Sequence, residues 1–470
     1  MKGSQSGHAL SVTLMAVVFL AALSVIDWKT ISGTRLKNFN LFDDLIATDD
    51  KVEESDNLVT VDPELAAAIE EVTSEAEMPV RNVEGNDGTD NPAPVSSEKT
   101  YAEAPEKVDG IQPIEDYSPD GGMASQLRNS LNESSGRIVR TAVIGDSYIE
   151  GDIFTQDVRR LLQSKYGGRG VGYMAMHSDF PGFRRSIVQS DEGWTVKDIR
   201  HSAHDNIKPL SGTYCIASSG AKTTFRKAGN ASATPWSVSR LLFFSDRSGG
   251  ITVTTDAGTE THQVEASDNL QYIETTGETA KYVFKTDIDS LKVLGTWLDD
   301  PTGVSVDCMS MRGNSGASHR YISRPLAASM AASVDYDLIV IEFGTNVISS
   351  AQTDYSSYGI VMGRVIDRLR ECYPNAAIIM LGVGDRGEKI GTEVKSMPMV
   401  AAMTGAQRDC AKKKGIMFWD MRAAMGGDNS IVDWRKRGLV NSDYVHLNHK
   451  GGSVLAEEFV KSLEMCINAE

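Results

Sequence analysis

From Arg137 onward the chain alternates short apolar runs with amphipathic stretches, and this rhythm constrains the fold more than any other feature. Ile138–Ile144 (IVRTAVI), Asp337–Phe343 (DLIVIEF), Ala376–Val383 (AAIIMLGV) and Ile416–Met421 (IMFWDM) read as buried strands. The stretches near Ile153–Tyr166, His319–Ser333, Tyr355–Cys372, Met399–Lys414 and Lys450–Cys466 read as helices. Strands that alternate with helices imply βαβ units and a parallel sheet, an α/β fold. One stretch breaks the rhythm. Ser186 to Val306 is rich in Thr, Ser, Gly and Val, with short alternating runs separated by turn signals. It reads as an all-β insert, a sandwich or jelly roll. The α/β part is therefore expected over 136–185 and 307–470, with the insert over 186–306. Cys215 and Cys308 stand near the two ends of the insert, either as a disulfide across its base or as two separate buried thiols.

The formal net charge is −17, but it is not spread evenly. Leu41 to Ser135 carries 24 acidic and 5 basic residues, so the rest of the chain is close to neutral. That excludes the basic excess of a nucleic-acid binder. Residues 30–135, with scattered Pro and few aromatics, are expected to form a disordered acidic linker, because such a segment buries too little apolar surface to offset its ordering entropy. Pro63 to Ala76 is the candidate for a short helix within it. Ahead of the linker, Ala9 to Ile26 holds 18 residues without a charge. As a helix this run spans about 27 Å, enough for a bilayer core. Residues 1–29 are read as an uncleaved signal anchor, in competition with a cleaved signal peptide, and both export the rest of the chain. The expected location is membrane-anchored, with the α/β part on the periplasmic or extracellular side.

The residues able to do chemistry follow strand ends. Gly145-Asp146-Ser147 comes after the first strand and before a helix, where open α/β sheets place ligands. A serine there needs a base to become a nucleophile. Asp443-Tyr444-Val445-His446 supplies one: the carboxylate can hold one imidazole nitrogen and leave the other to take the serine proton. Gly344-Thr345-Asn346 follows the second strand, and Gly313-Asn314-Ser315-Gly316 follows the insert. The Asn346 amide and a backbone N–H near Gly313 are candidate oxyanion donors. Each piece alone also reads as an ordinary cap or turn. Their joint occurrence in this chain order is the informative signal.

These four blocks resemble the SGNH/GDSL hydrolase superfamily, over about 137–185 and 307–465. The resemblance implies a three-layer α/β/α fold and metal-free ester hydrolysis through an acyl-serine intermediate. It implies Ser147 as nucleophile, His446 and Asp443 as its partners, and the Ser147 amide, Gly313 and Asn346 as the oxyanion hole. The longer Gly145–Asp152 stretch (GDSYIEGD) and the position of the β insert are similar to the peptidoglycan O-acetyl esterase branch. Val347 and Tyr148 depart from that pattern, since many members have Asp after the Asn and His after the Ser.

The remaining features carry less. Trp434-Arg435-Lys436-Arg437 is either a patch for an anionic polymer or a solvated basic loop. Asp385-Arg386 either lines the cleft or forms a turn pair, and Trp194, Trp236 and Trp297 either stack on sugars or fill a sandwich core. The sequence has no P-loop, no H-E-x-x-H and no C-x-x-C pattern, so no cofactor and no metal are expected. The expected function is removal of O-acetyl groups from a cell-envelope polysaccharide. The rivals are an O-acetyltransferase, which uses the same serine beside a membrane acetyl donor protein, and a non-catalytic glycan-binding protein.

Overall fold

The structure is a computed structural model and describes residues 62–77, 101–201, 206–230 and 233–469. The apolar run Ala9–Ile26 and much of the acidic stretch lie outside the described residues. Among the described residues no helix is long and apolar enough to cross a membrane.

The described chain opens with α1 (Pro63–Glu77), β1 (Ile114–Asp116), α2 (Gly122–Asn132), β2 (Ile138–Gly145), α3 (Thr155–Tyr166) and β3 (Gly170–Met174). Eight strands follow, from β4 (Ile187–Asp198) and β5 (Thr213–Lys227) to β11 (Lys292–Asp299). The chain then returns through β12 (Gly303–Ser310), α4 (Arg324–Met330), β13 (Leu338–Glu342), α5 (Ser356–Cys372) and β14 (Ala377–Leu381). After the hairpin β15 (Gly387–Ile390) and β16 (Glu393–Ser396) come α6 (Met399–Lys414), β17 (Met417–Trp419), α7 (Met421–Met425), α8 (Ser430–Lys436) and α9 (His449–Ile467).

A six-stranded sheet, in the order β1-β17-β14-β13-β2-β12, forms the frame. Its strands run parallel except β1, which pairs antiparallel to β17 at the edge. Alternate side chains leave opposite faces of a strand. Ile144, Ile341 and Met380 thus join the core under α5 and α6, while Val143, Val340 and Ile379 join the core under α2, α3 and α9. The result is the expected three-layer α/β/α arrangement with one antiparallel edge added.

A second, nine-stranded sheet contains β3 to β11 and is antiparallel throughout. β5 and β11 change partners along their length, so the sheet curls around a core of its own that holds Phe225, Trp236, Phe243 and Phe284. Trp236 is buried in this core and Trp297 in the core shared with the parallel sheet, so neither is a sugar platform. The boundaries shift from those expected. β3 pairs with β11 and belongs to the β-rich sheet, while Gly303 to Val306 begins a strand of the parallel one. The two sheets meet at a buried polar cluster. Arg140 of β2 lies 2.6 Å from Asp299, and Asp307 accepts from Trp297 Nε1 at 2.8 Å and the Tyr336 hydroxyl at 2.9 Å.

The linker expected over 30–135 is also shorter than the sequence reading has it. Its last part supplies β1 and α2, and α2 buries Leu127 and Leu131. α1 buries Leu65, Ala68 and Val72, one apolar face at helical spacing. Glu70 and Glu71 between them are exposed, and a helix needs only one apolar stripe to dock. Cys215 and Cys308 are separate buried thiols, and no disulfide joins them.

Candidate active site

Parallel register brings three of the four blocks together. Gly145 at the end of β2 sits between Ser310 of β12 and Glu342 of β13. The chain runs from β2 to β12 on one side and to β13 on the other, so the carboxyl end of β2 is a topological switch point, where the crevice of an open α/β sheet lies. Ser147, Gly313 and Asn346 follow these three adjacent strand ends. The strands approach so closely here that a Cβ on Gly145 would lie 2.6 Å from the Glu342 carbonyl oxygen, which requires glycine.

The fourth block comes from the loop between α8 and α9. An isolated bridge between Val440 and Leu447 and the Asn441 N–H donating to the His446 carbonyl close this loop into a tight turn. Tyr444 takes the left-handed conformation at φ 54°, a strained state for a residue with a Cβ. The turn aims His446 Nε2 at Ser147 Oγ, 2.9 Å away. His446 Nδ1 lies 2.8 Å from Asp443 Oδ2, and the other carboxylate oxygen, Oδ1, accepts from the Val445 and His446 backbone N–H groups at 2.9 and 3.0 Å. Partial burial pushes the Asp443 carboxyl up. The His446 hydrogen bond and the two backbone donors outweigh that and hold it below its ordinary value, so Asp443 stays ionised. Hydroxyl, imidazole and carboxylate stand in series, which is the arrangement that lets a serine lose its proton as it attacks a carbonyl.

The oxyanion candidates behave differently from one another. Among the described residues the Ser147 and Gly313 backbone N–H groups donate to no acceptor within the chain. Gly313 is exposed at φ 70°. Asn346 is more constrained. Its Nδ2 donates to Asp146 Oδ2 at 2.8 Å and to the Asn314 carbonyl at 3.2 Å, so both amide hydrogens are engaged in the resting site. Asn346 therefore ties the serine block to the glycine block. Val347, the departure after it, is buried in the 3₁₀ turn Thr345–Val347.

Beneath the serine lie two carboxyls that the sequence reading did not single out as a pair, Asp146 and Glu342, both almost fully buried. Burial pushes Asp146 up to about 7, against the Tyr148 N–H, His446 and Asn346, which favour its charged form. Glu342 has fewer compensating donors and is raised well above the ordinary carboxylate range. The pair retains a proton through neutral pH, because two charges this deep cannot both ionise. The signal was present as an acidic residue inside an otherwise apolar strand, DLIVIEF.

The weaker candidates resolve into structure. Asp385 is buried and accepts from Ser396 Oγ and the Ile431 N–H, pinning the β15–β16 hairpin to α8. Arg386 donates to the Thr345 carbonyl beside Asn346. Trp434 is buried in α8, while Arg435, Lys436 and Arg437 form its exposed end.

Residues 289–453 match the model of the GDSL-like lipase/acylhydrolase family. The chain carries a GDSL-like acylhydrolase domain. That places it among hydrolases acting on ester bonds. The matched span of the GDSL-like domain includes Gly313, Asn346, Asp443 and His446 and begins after most of the β insert, so Ser147 lies upstream of it. Among solved structures, a peptidoglycan O-acetylesterase matches with a TM-score of 0.63 and 22% identity, covering 76% of this chain and 99% of that one. This likeness shows a shared fold that takes in the β-rich sheet as well as the GDSL-like domain. A family two carbohydrate esterase from Clostridium thermocellum matches at a TM-score of 0.25 and 13% identity, over 58% of this chain and 97% of that one. The salicylyl-acyltransferase SsfX3 matches at 0.29 and 11%, over 60% and 96%. No curated protein matches the chain.

Proposed function

We propose that this protein is a serine esterase that removes O-acetyl groups from an envelope polysaccharide of the peptidoglycan kind. The reading rests on the 2.9 Å contact between Ser147 Oγ and His446 Nε2, at the mouth of a site with unengaged backbone N–H groups. The peptidoglycan O-acetylesterase that shares its fold supports the choice of substrate class. Ser147 Oγ attacks the acetyl carbonyl, and its proton passes to His446 Nε2. The Ser147 and Gly313 N–H groups receive the negative charge that develops on the carbonyl oxygen, while Asn346 holds the two loops at their spacing. His446 then gives its proton to the leaving sugar hydroxyl, and an acetyl-serine remains. Water, deprotonated by His446, attacks the acetyl-serine; as the ester bond to Ser147 Oγ breaks, His446 returns that proton to Oγ and acetate leaves. Asp443 fixes the imidazole and stabilises its charged form at both steps. The run Ala9–Ile26 would hold the enzyme at the membrane, with the esterase on the exported side.

The test is acetate release from O-acetylated peptidoglycan by the full chain and by Ser147→Ala. The expected result is loss of at least roughly a thousandfold in rate, the scale on which removal of the nucleophile itself acts. Equal rates sink the mechanism. Acetylated glycan appearing faster than free acetate, when an acyl donor is added, would turn the reading toward acetyl transfer.

A further inference from the structure

We infer that α1, the helix embedded in the acidic stretch, completes the active site, and that Asp62 at its start is a positioning residue for the loop that carries Gly313. This rests on the esterase reading above. Asp62 divides its two carboxylate oxygens. Oδ1 accepts from the Glu64 N–H at 3.1 Å and so caps α1. Oδ2 accepts from the Ser315 hydroxyl at 2.6 Å and from the Ser315 N–H at 3.4 Å. Ser315 is fully buried, two residues after Gly313. Its carbonyl accepts from the Tyr358 hydroxyl of α5 at 2.9 Å, and the carbonyl of its neighbour Asn314 accepts from Asn346. Three anchors thus fix the Gly313–Gly316 loop: Asn346 from the sheet, Tyr358 from the helical layer and Asp62 from α1. The third is supplied by a segment far upstream in sequence, which docks through Leu65, Ala68 and Val72 and through an ion pair of Glu71 with Arg364 at 3.0 Å.

A buried hydroxyl and N–H that lose their acceptor seek new partners. The loop then rearranges and takes the Gly313 N–H with it. An oxyanion donor displaced by about 1 Å loses on the order of a hundredfold in rate. Substrate held by the rest of the cleft is affected less, so kcat should fall while KM holds.

The experiment uses the full chain with Asp62→Ala, Asp62→Asn and Ser315→Ala. Two readouts are taken: the rate at which a fluorophosphonate labels Ser147, which needs no knowledge of the substrate, and kcat and KM for acetate release. Asp62→Ala should label at least tenfold more slowly and lose kcat to match, with KM within about twofold. Asp62→Asn keeps an acceptor oxygen and should recover most of the rate. Ser315→Ala leaves α1 docked and should fall between the two; it carries the test if Asp62→Ala does not fold. Wild-type labelling rates in folded Asp62→Ala, or in Ser315→Ala where Asp62→Ala does not fold, overturn the inference and leave the esterase reading intact. Failure of the wild-type chain to label above Ser147→Ala overturns the esterase reading, and this inference with it.

Discussion

Replacing Asp443 with asparagine should damage the site more than replacing it with alanine. The reason lies in which oxygen does what. Asp443 Oδ1 accepts from two backbone N–H groups, Val445 at 2.9 Å and His446 at 3.0 Å, while Oδ2 faces His446 Nδ1 at 2.8 Å. In Asp443→Asn the amide has one acceptor and one donor end. The two backbone donors demand the acceptor, so the NH₂ group is turned toward His446 Nδ1. The imidazole must then accept at Nδ1 and carry its hydrogen on Nε2, which leaves nothing to take the Ser147 proton. Flipping the amide restores the useful tautomer but gives up two hydrogen bonds at about 1 kcal/mol each. That is about 2 kcal/mol, a roughly 30-fold bias toward the dead tautomer. Asp443→Ala also loses the charge-assisted bond. That bond is partly exposed, with side-chain exposures of 44% and 37% for Asp443 and His446, so the loss should be about 2 kcal/mol, roughly another 30-fold. The alanine variant leaves the imidazole free to choose its tautomer. The expected order of kcat/KM on an aryl acetate is wild type, then alanine roughly 30-fold lower, then asparagine roughly a thousandfold lower. Nitrogen NMR shifts of His446 should show a hydrogen on Nε2 in the asparagine variant. An asparagine variant as active as the alanine one, or more so, refutes the reasoning.

Two predictions concern stability. Asp146 and Glu342 have folded values raised above the unfolded carboxylate range, so the stability they contribute is present below about pH 4 and is lost as pH rises above it, for Asp146 through about 7. Glu342→Gln should flatten this dependence and gain a few kcal/mol over wild type at pH 8 but little at pH 4, read by urea unfolding at both; an unchanged slope counts against the buried pair. Arg140→Met removes one of the two guanidiniums on fully buried Asp299, leaving Arg240 at 3.0 Å from its other oxygen, and should cost about 3 kcal/mol in denaturant unfolding; a loss under about 1 kcal/mol would mean the cluster does not join the two sheets.

How much of this protein is written locally depends on the interaction involved. Strand and helix identity is a matter of period. DLIVIEF is a buried strand because its apolar residues Leu338 to Ile341 meet an apolar layer on one face or the other, and α5 and α6 lie where helical spacing put them. The chemistry of the four blocks was legible too, since nucleophile, base and donors each have a characteristic residue type. Composition misled where an average hid a pattern: α1 and β1 sit in a stretch that is acidic overall, yet each offers one apolar face or edge to the domain. β3 misled because five residues carry no label for which of two sheets they will join.

What the sequence determined by itself is therefore the set of parts and their order. What only the tertiary structure decided is their convergence. Parallel register sets Ser147, Gly313 and Asn346 on neighbouring strand ends. A strained turn at Tyr444 swings His446 over them. Asp62 reaches the same loop from 253 residues away along the chain. Such contacts depend on distances in space between residues remote in sequence, and no local pattern of side chains encodes those distances.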